Sequence, residues 1–67
     1  MTKEEVIKAL DNGEKVTHST FIPDEFIQLY PNNSTFYEDE NKNLISKNQF
    51  WKYRTKIIWN NNWSIFK

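Results

Sequence analysis

The chain has 67 residues, a formal net charge of zero, no cysteine and one histidine, His18. This composition excludes disulfides, thiolate metal sites and a typical multi-histidine zinc centre. At this length only about 60% of the unfolded chain's surface is buried on folding, which leaves a domain marginally stable. Three Trp, three Tyr and five Phe can enlarge the core, since each large ring buries roughly 150–250 Å². We expect one domain over residues 1–67, without a cofactor.

The first ten residues, MTKEEVIKAL, differ from a signal peptide, because they include two acids and lack a long apolar stretch. No apolar run approaches the ~20 residues that span a membrane. We therefore expect an intracellular protein that makes no membrane contact.

The zero net charge conceals a division between the two parts of the chain. Residues 1–40 hold all nine acids and three lysines, which sum to −6, and residues 41–67 hold six cations and no acid. Such asymmetry points to an interacting surface. Alternatively, the opposite charges neutralise each other within the fold, if acidic strands lie beside a basic helix.

The first predicted element is a helix over residues 3–11. Thr2 and Glu5 have the spacing of a capping box, and Gly13, the only glycine, suits a left-handed C-cap. The apolar stripe of this helix is formed by Val6, Ile7, Ala9 and Leu10.

Three strands are expected to follow. EKVTHSTF, residues 14–21, alternates along its whole length and is rich in β-branched residues. EFIQLYP (25–31) is a second strand after a turn at Pro23, and TFYED (35–39) is a third, joined to the second by an NNS turn. A polar loop, EDENKN, comes next.

A second helix and a last strand complete the prediction. Ser46 and Gln49 have capping-box spacing, which places the helix at residues 47–54 with Phe50 and Arg54 on one face. After three asparagines, WSIFK alternates as a strand does. The order α-β-β-β-α-β predicts an α+β fold with a small antiparallel sheet and two short helices.

Several segments carry a family likeness. They are EVIKALDNGEKVTHSTF, a short FIQL strand, an acidic YEDEN turn, and SKNQFWKYR before a final W-x-I strand. In these features nearly the whole chain resembles small accessory or early proteins of tailed phages. Such sequences often place glycine after the acidic turn and before the last Trp, where this chain has Asn43 and Asn62.

The resemblance implies a phage product that binds a host component in the host cytoplasm. Some small phage proteins of similar layout block bacterial immunity, by sequestering a nucleotide messenger or by covering a defence protein. The resemblance provides no catalytic residues, because the matching positions are mostly structural.

The closing segment, QFWKYRTKIIWNNNWSIFK, has two interpretations. Its cations and aromatic rings have the composition of a single-stranded nucleic-acid platform, on which bases stack and phosphates are neutralised. Nevertheless, no recognised nucleic-acid motif is present, and a chain this short needs large rings for its core. We favour the core interpretation for most of these rings.

The triplet Glu38, Asp39 and Glu40 also has two interpretations. Three adjacent acids can mimic phosphate and dock onto a basic partner, with electrostatic steering of the encounter. Alternatively, they form a solvated turn that keeps the sheet soluble.

His18 among hydroxyl residues suggests a hydrolase, but neighbouring residues of a strand point to opposite faces, so His18 and Ser19 cannot act as a pair. We interpret His18 as a structural residue and expect the protein not to be an enzyme.

These arguments predict a stoichiometric binder that inhibits or redirects a host protein, with defence proteins among the targets. The expected contact residues are Glu38, Asp39, Glu40, Lys52, Arg54 and Lys56. One alternative is a single-stranded nucleic-acid-binding module that uses Trp51, Tyr53, Arg54 and Trp59. Another is a nucleotide-messenger sponge at a dimer interface, since an exposed edge strand permits a homodimer.

Overall fold

The computed structural model describes residues 1–67 and contains one five-stranded antiparallel sheet and two α-helices. The helices are α1 (Lys3–Asp11) and α2 (Lys47–Lys52). The strands are β1 (Val16–His18), β2 (Ile27–Leu29), β3 (Phe36–Asp39), β4 (Leu44–Ser46) and β5 (Trp63–Ile65), in the sheet order β4-β3-β2-β1-β5. The predicted α+β class, with a small antiparallel sheet and two short helices, is confirmed. The structure adds β4 between β3 and α2.

Helix α1 has the predicted bounds because both of its ends are satisfied by local hydrogen bonds. Glu5 N–H donates to Thr2 Oγ1 at 3.2 Å, and Thr2 N–H donates to Glu5 Oε1 at 2.8 Å, which completes the capping box. At the other end Gly13 has φ +84°, and the amides of Gly13 and Glu14 donate to the carbonyls of Leu10 and Ala9. This pattern is a Schellman cap, which favours glycine at the left-handed position.

The first strand is shorter than predicted. Its pairing ends at His18, because Phe21 N–H turns back and donates to His18 O at 2.9 Å. The expected alternation from Ser19 to Phe21 is therefore wrong. The turn instead carries the Phe21 ring to within 5.8 Å of the Trp63 ring centroid, on the core side.

Strand β4 forms because the acidic turn is tight enough to reverse the chain. Asp39 Oδ1 accepts hydrogen bonds from the amides of Asn41 and Asn43, at 2.8 and 2.9 Å. The left-handed residue of this turn is Lys42 (φ 65°), rather than the neighbouring Asn43, whereas Asn62 (φ 72°) does occupy a left-handed position. The sequence LIS is then placed against β3, and Tyr37 pairs with Ile45.

The segment after β4 also differs in detail from the prediction. Ser46 Oγ accepts from Gln49 N–H at 3.2 Å and starts α2, which ends at Lys52 rather than at residue 54. A short 3-10 helix, Ile57–Asn60, precedes β5 and was not predicted.

Both helices cover one face of the sheet, and the core lies between that face and the helices. The buried apolar side chains are Val6, Ala9, Leu10, Val16, Ile27, Tyr37, Phe50 and Trp63. The cross-strand pairs Val16–Ile27 and His18–Trp63 point towards this core. No helix of the fold is long and apolar enough to span a membrane.

Candidate functional site

The closing tryptophans contribute to the core instead of forming an open platform. Trp63 is only 3% exposed. The Trp51 and Trp59 rings are half-buried, and their centroids lie 5.6 and 5.8 Å from the centroid of the Trp63 ring. Trp51 Nε1 donates to Tyr37 Oη at 3.0 Å, and Trp63 Nε1 donates to Trp59 O at 2.9 Å. Of the residues expected to stack on bases, only Tyr53, at 73% exposure, projects freely into solvent.

His18 is buried and acts as a structural connector between β1 and the 3-10 helix. Its Nδ1 accepts from Thr20 N–H at 3.2 Å, so its other ring nitrogen, Nε2, carries the proton. Nε2 lies 3.0 Å from each of two carbonyl oxygens, those of Ile58 and Asn61, and donates to them. Both nitrogens are therefore occupied by the fold.

The three adjacent acids are separated by the pleat of β3. Glu38 points to the sheet face away from the helices, where its Oε1 accepts from Gln28 Nε2 at 3.2 Å. Asp39 points to the helix side and caps the turn that leads to β4. Glu40 follows the strand, and its Oε1 is shielded from solvent without a hydrogen-bond partner. The pleat therefore places Glu38 and Asp39 on opposite faces of the sheet, so the triplet does not form a single acidic patch.

One predicted contact residue, Arg54, lies in a partly apolar cleft with a volume of about 180 Å³. We call this the Arg54 cleft. It is lined by Phe21, Glu25, Ile27, Asp39, Asn43, Leu44, Ile45, Phe50 and Arg54. The turn after β1, the start of β2, the β3–β4 turn and the end of α2 each supply part of its wall.

The Arg54 guanidinium is held by aromatic and backbone contacts. Its central carbon lies 3.9 Å from the centroid of the Phe50 ring and 5.0 Å from that of Trp59, which are cation–π distances. One terminal nitrogen donates to Phe50 O at 3.1 Å. Phe50 and Arg54 are therefore in contact, but they do not share a helix face as predicted, because α2 ends at Lys52 and Arg54 lies beyond it.

No carboxylate neutralises this guanidinium directly. The one ion pair of the chain joins Lys47 to Asp11 at 3.4 Å, and Arg54 Nε is shielded from solvent without a hydrogen-bond partner. Burial lowers the pKa of Arg54, while the charge of Glu25, across the same cleft, acts in the opposite direction. The cleft therefore contains a half-buried cation that is only partly compensated by charge.

The other charged groups of the cleft are already engaged or lie at its margin. Glu25 Oε1 accepts from Ile22 N–H at 3.2 Å, and both Asp39 oxygens accept from the turn at Asn43. Lys52 and Lys56 are exposed on either side of Arg54 in the chain. Of the six expected contact residues, Asp39 and Arg54 share the cleft, and Glu38 lies on the opposite sheet face.

Exposed apolar side chains occur among the cleft residues and their sequence neighbours. Leu44 is a lining residue that pairs with Glu38, so its side chain points to the sheet face of Glu38. Ile22 and Tyr53 are the sequence neighbours of the lining residues Phe21 and Arg54. We call Ile22, Leu44 and Tyr53 the apolar rim. Ile57, in the segment after α2, is also exposed, at 84%.

Phe21, Glu25 and Asn43 line the cleft but were not predicted as site residues from the sequence. Each lies in a turn or at a strand end, and no spacing in the sequence connects any of them to Arg54. The fold also contains no group of three or more His, Asp or Glu side chains placed to hold a metal ion.

In comparisons with known proteins, no family model, no curated protein and no solved structure matches the chain. The Arg54 cleft and its rim therefore provide the basis for the functional argument.

Proposed function

We propose that this chain is a small phage-encoded protein that inhibits or redirects a host protein by stoichiometric binding through the Arg54 cleft and its apolar rim. The single observation that carries the proposal is the half-buried Arg54, stacked on Phe50 and Trp59 without a carboxylate partner. Arginine and aromatic residues dominate the binding energy of protein interfaces when they sit in such desolvated pockets.

The surroundings of the cleft have the composition of an interface. The apolar rim, formed by Ile22, Leu44 and Tyr53, is exposed, and apolar contacts next to a central charge exclude water from it in protein interfaces. Lys52 and Lys56 give one side positive charge, and Glu25 gives the cleft wall negative charge. Charges of both signs specify the orientation of a protein partner and steer its approach.

The host component, with a defence protein as one class of target, comes from the resemblance to phage accessory proteins. We place its action in the host cytoplasm for the same reason. A non-enzymatic role is consistent with the occupied nitrogens of His18, which leave no base for a neighbouring nucleophile.

Nucleic-acid binding is the second candidate, favoured only by the cations beside the exposed Tyr53. It is less well supported, because the rings of Trp51 and Trp59 are half-buried and packed against Trp63. A nucleotide sponge that uses the Arg54 cleft is also less well supported, since this cleft of about 180 Å³ is smaller than the ~300–1,000 Å³ typical of small-molecule sites.

The proposal is tested by capture of proteins from a host lysate on immobilised wild-type protein and on three variants. Arg54→Gln should lose the specifically captured protein by about tenfold or more, as expected for a charged interface anchor. Lys67→Gln, with the same change of charge at the chain terminus, should retain it. Glu38→Lys tests the opposite sheet face.

Thermal melting of each variant shows that a loss of capture is not a loss of fold. Equal capture by wild type and Arg54→Gln would refute the cleft as the recognition surface. Loss with Glu38→Lys alone would place recognition on the opposite sheet face instead.

A further inference from the structure

We infer that the Arg54 cleft receives a carboxylate side chain of the partner, an Asp or Glu that lies next to an aromatic or other large apolar residue. The inference rests on the proposed function, because it assumes that the cleft contacts a protein. It adds the chemical identity of the group that binds there.

The donors of Arg54 point to a carboxylate. A guanidinium has five N–H donors, and only one bond, to Phe50 O, is made within the fold. Nε is shielded from solvent, so the donors left for a ligand are those of the two terminal nitrogens. A carboxylate accepts two parallel bonds from the terminal nitrogens of a guanidinium, which makes it the matching ligand.

The acids of the cleft limit the negative charge that a ligand can carry. Glu25 and Asp39 both line the wall, so each added negative charge on a ligand raises the repulsion it meets. A phosphate, with up to two charges, or a nucleic-acid strand is therefore a poorer occupant than one carboxylate.

The rest of the wall of the Arg54 cleft is mostly apolar, which is why we expect a large apolar residue beside the partner's carboxylate. Phe21, Ile27 and Phe50 form the apolar lining, and Leu44 stands at the rim. The volume of about 180 Å³ lies below the ~300 Å³ at which sites for whole small molecules begin. The cleft thus suits one or two side chains of a protein.

The test is an NMR titration with two blocked dipeptides, N-acetyl-Phe-Asp-amide and N-acetyl-Phe-Asn-amide, which differ in one carboxylate. The signals followed are the Arg54 Nε–H and the Trp59 indole N–H. The Asp peptide should shift both signals in a saturable way and bind about tenfold or more tightly than the Asn peptide, because a charge-assisted pair is lost with Asn.

Three variants locate the effect. Arg54→Lys keeps the charge but loses the forked geometry, and it should weaken binding of the Asp peptide. Glu25→Gln removes the opposing charge across the cleft and should strengthen it. Lys67→Gln is the control and should change nothing.

Equal binding of the two peptides, no binding of either, or tighter binding of inorganic phosphate or oligothymidylate would each overturn the inference. The proposed function is tested separately, by capture from the lysate. If lysate capture depends on Arg54 while the Asp peptide neither binds nor competes, the cleft remains a protein-binding surface and only its carboxylate occupant is wrong.

Discussion

Replacement of Tyr37 by Phe tests whether the closing segment is fixed within the core. Tyr37 is 1% exposed, and its hydroxyl accepts the hydrogen bond from Trp51 Nε1 at 3.0 Å. The variant keeps the buried ring and removes one acceptor, so the half-buried indole N–H loses its partner. A lost bond of this kind costs about 1–2 kcal/mol, towards the lower end of the range for an unpaired donor.

This cost is large for so small a domain. Each kcal/mol lowers the melting temperature of a chain of this size by about 4–8 °C. Thermal unfolding followed by tryptophan fluorescence measures the shift, and Tyr53→Phe is the matched control, because Tyr53 is exposed and its hydroxyl makes no hydrogen bond. If both variants melted together with the wild type, the anchoring of Trp51 by Tyr37 would be refuted.

The same variant predicts the response to alkaline pH. Burial raises the pKa of the Tyr37 hydroxyl; the bond from Trp51 lowers it and the charge of Asp11 raises it further, both to a smaller extent. When folding raises the pKa of a group, the protein has its full stability below the pKa of that group in the unfolded chain, which is about 10 for tyrosine. This stability is lost as the pH rises through the pKa of the folded state. Wild type should therefore lose stability above that pH more steeply than Tyr37→Phe, as measured by urea unfolding.

Three further predictions concern the caps and His18. Gly13→Ala should cost about 1–2 kcal/mol in urea unfolding, because φ is +84° and the added Cβ meets nothing within 4 Å, so strain acts alone; Gly13→Asn should cost less. The pKa of Glu5 is lowered mainly by the hydrogen bond from the backbone of Thr2 and next by that from its side chain. The stability that Glu5 contributes to the fold is therefore complete above its ordinary pKa and is lost as the pH falls through the pKa of the folded state. Glu5→Gln should flatten this acid dependence, and an unchanged urea midpoint profile would contradict it. His18→Phe keeps a packed ring but removes the donor to Ile58 O, with a cost of about 1–3 kcal/mol; a wild-type melting temperature would show that this link is dispensable.

Local chemistry explains which parts of the fold were predictable. Helix α1 follows from Thr2, Glu5 and Gly13, whose caps are complete within the segment. The contact of Phe50 with Arg54 was suggested by helical spacing, although Arg54 lies in the turn after α2, where its N–H donates to Trp51 O. Strand β4 was missed because LIS is short and lies between a polar turn and a helix start, and its pairing depends on the Asp39 turn.

The site was less predictable, because the groups that define it meet only in the folded chain. Glu25 and Arg54 come from distant segments, and their proximity follows from strand pairing and from the packing of α2. The triplet from Glu38 to Glu40 was misleading in the other direction. Its adjacency in sequence suggests one acidic patch, but the pleat of β3 places Glu38 and Asp39 on opposite faces of the sheet.

If the Arg54 cleft is the recognition surface, the closing rings belong to the core and do not bind nucleic acid. Hydrogen exchange of the three indole N–H groups, measured by NMR with and without oligothymidylate, tests this most directly. The Trp51 and Trp63 signals, bonded to Tyr37 Oη and Trp59 O, should exchange slowly and remain unshifted by the oligonucleotide, while Trp59 exchanges fast. Fast exchange of all three, with shifts on addition of the oligonucleotide, would contradict the account and favour a surface for nucleic acid.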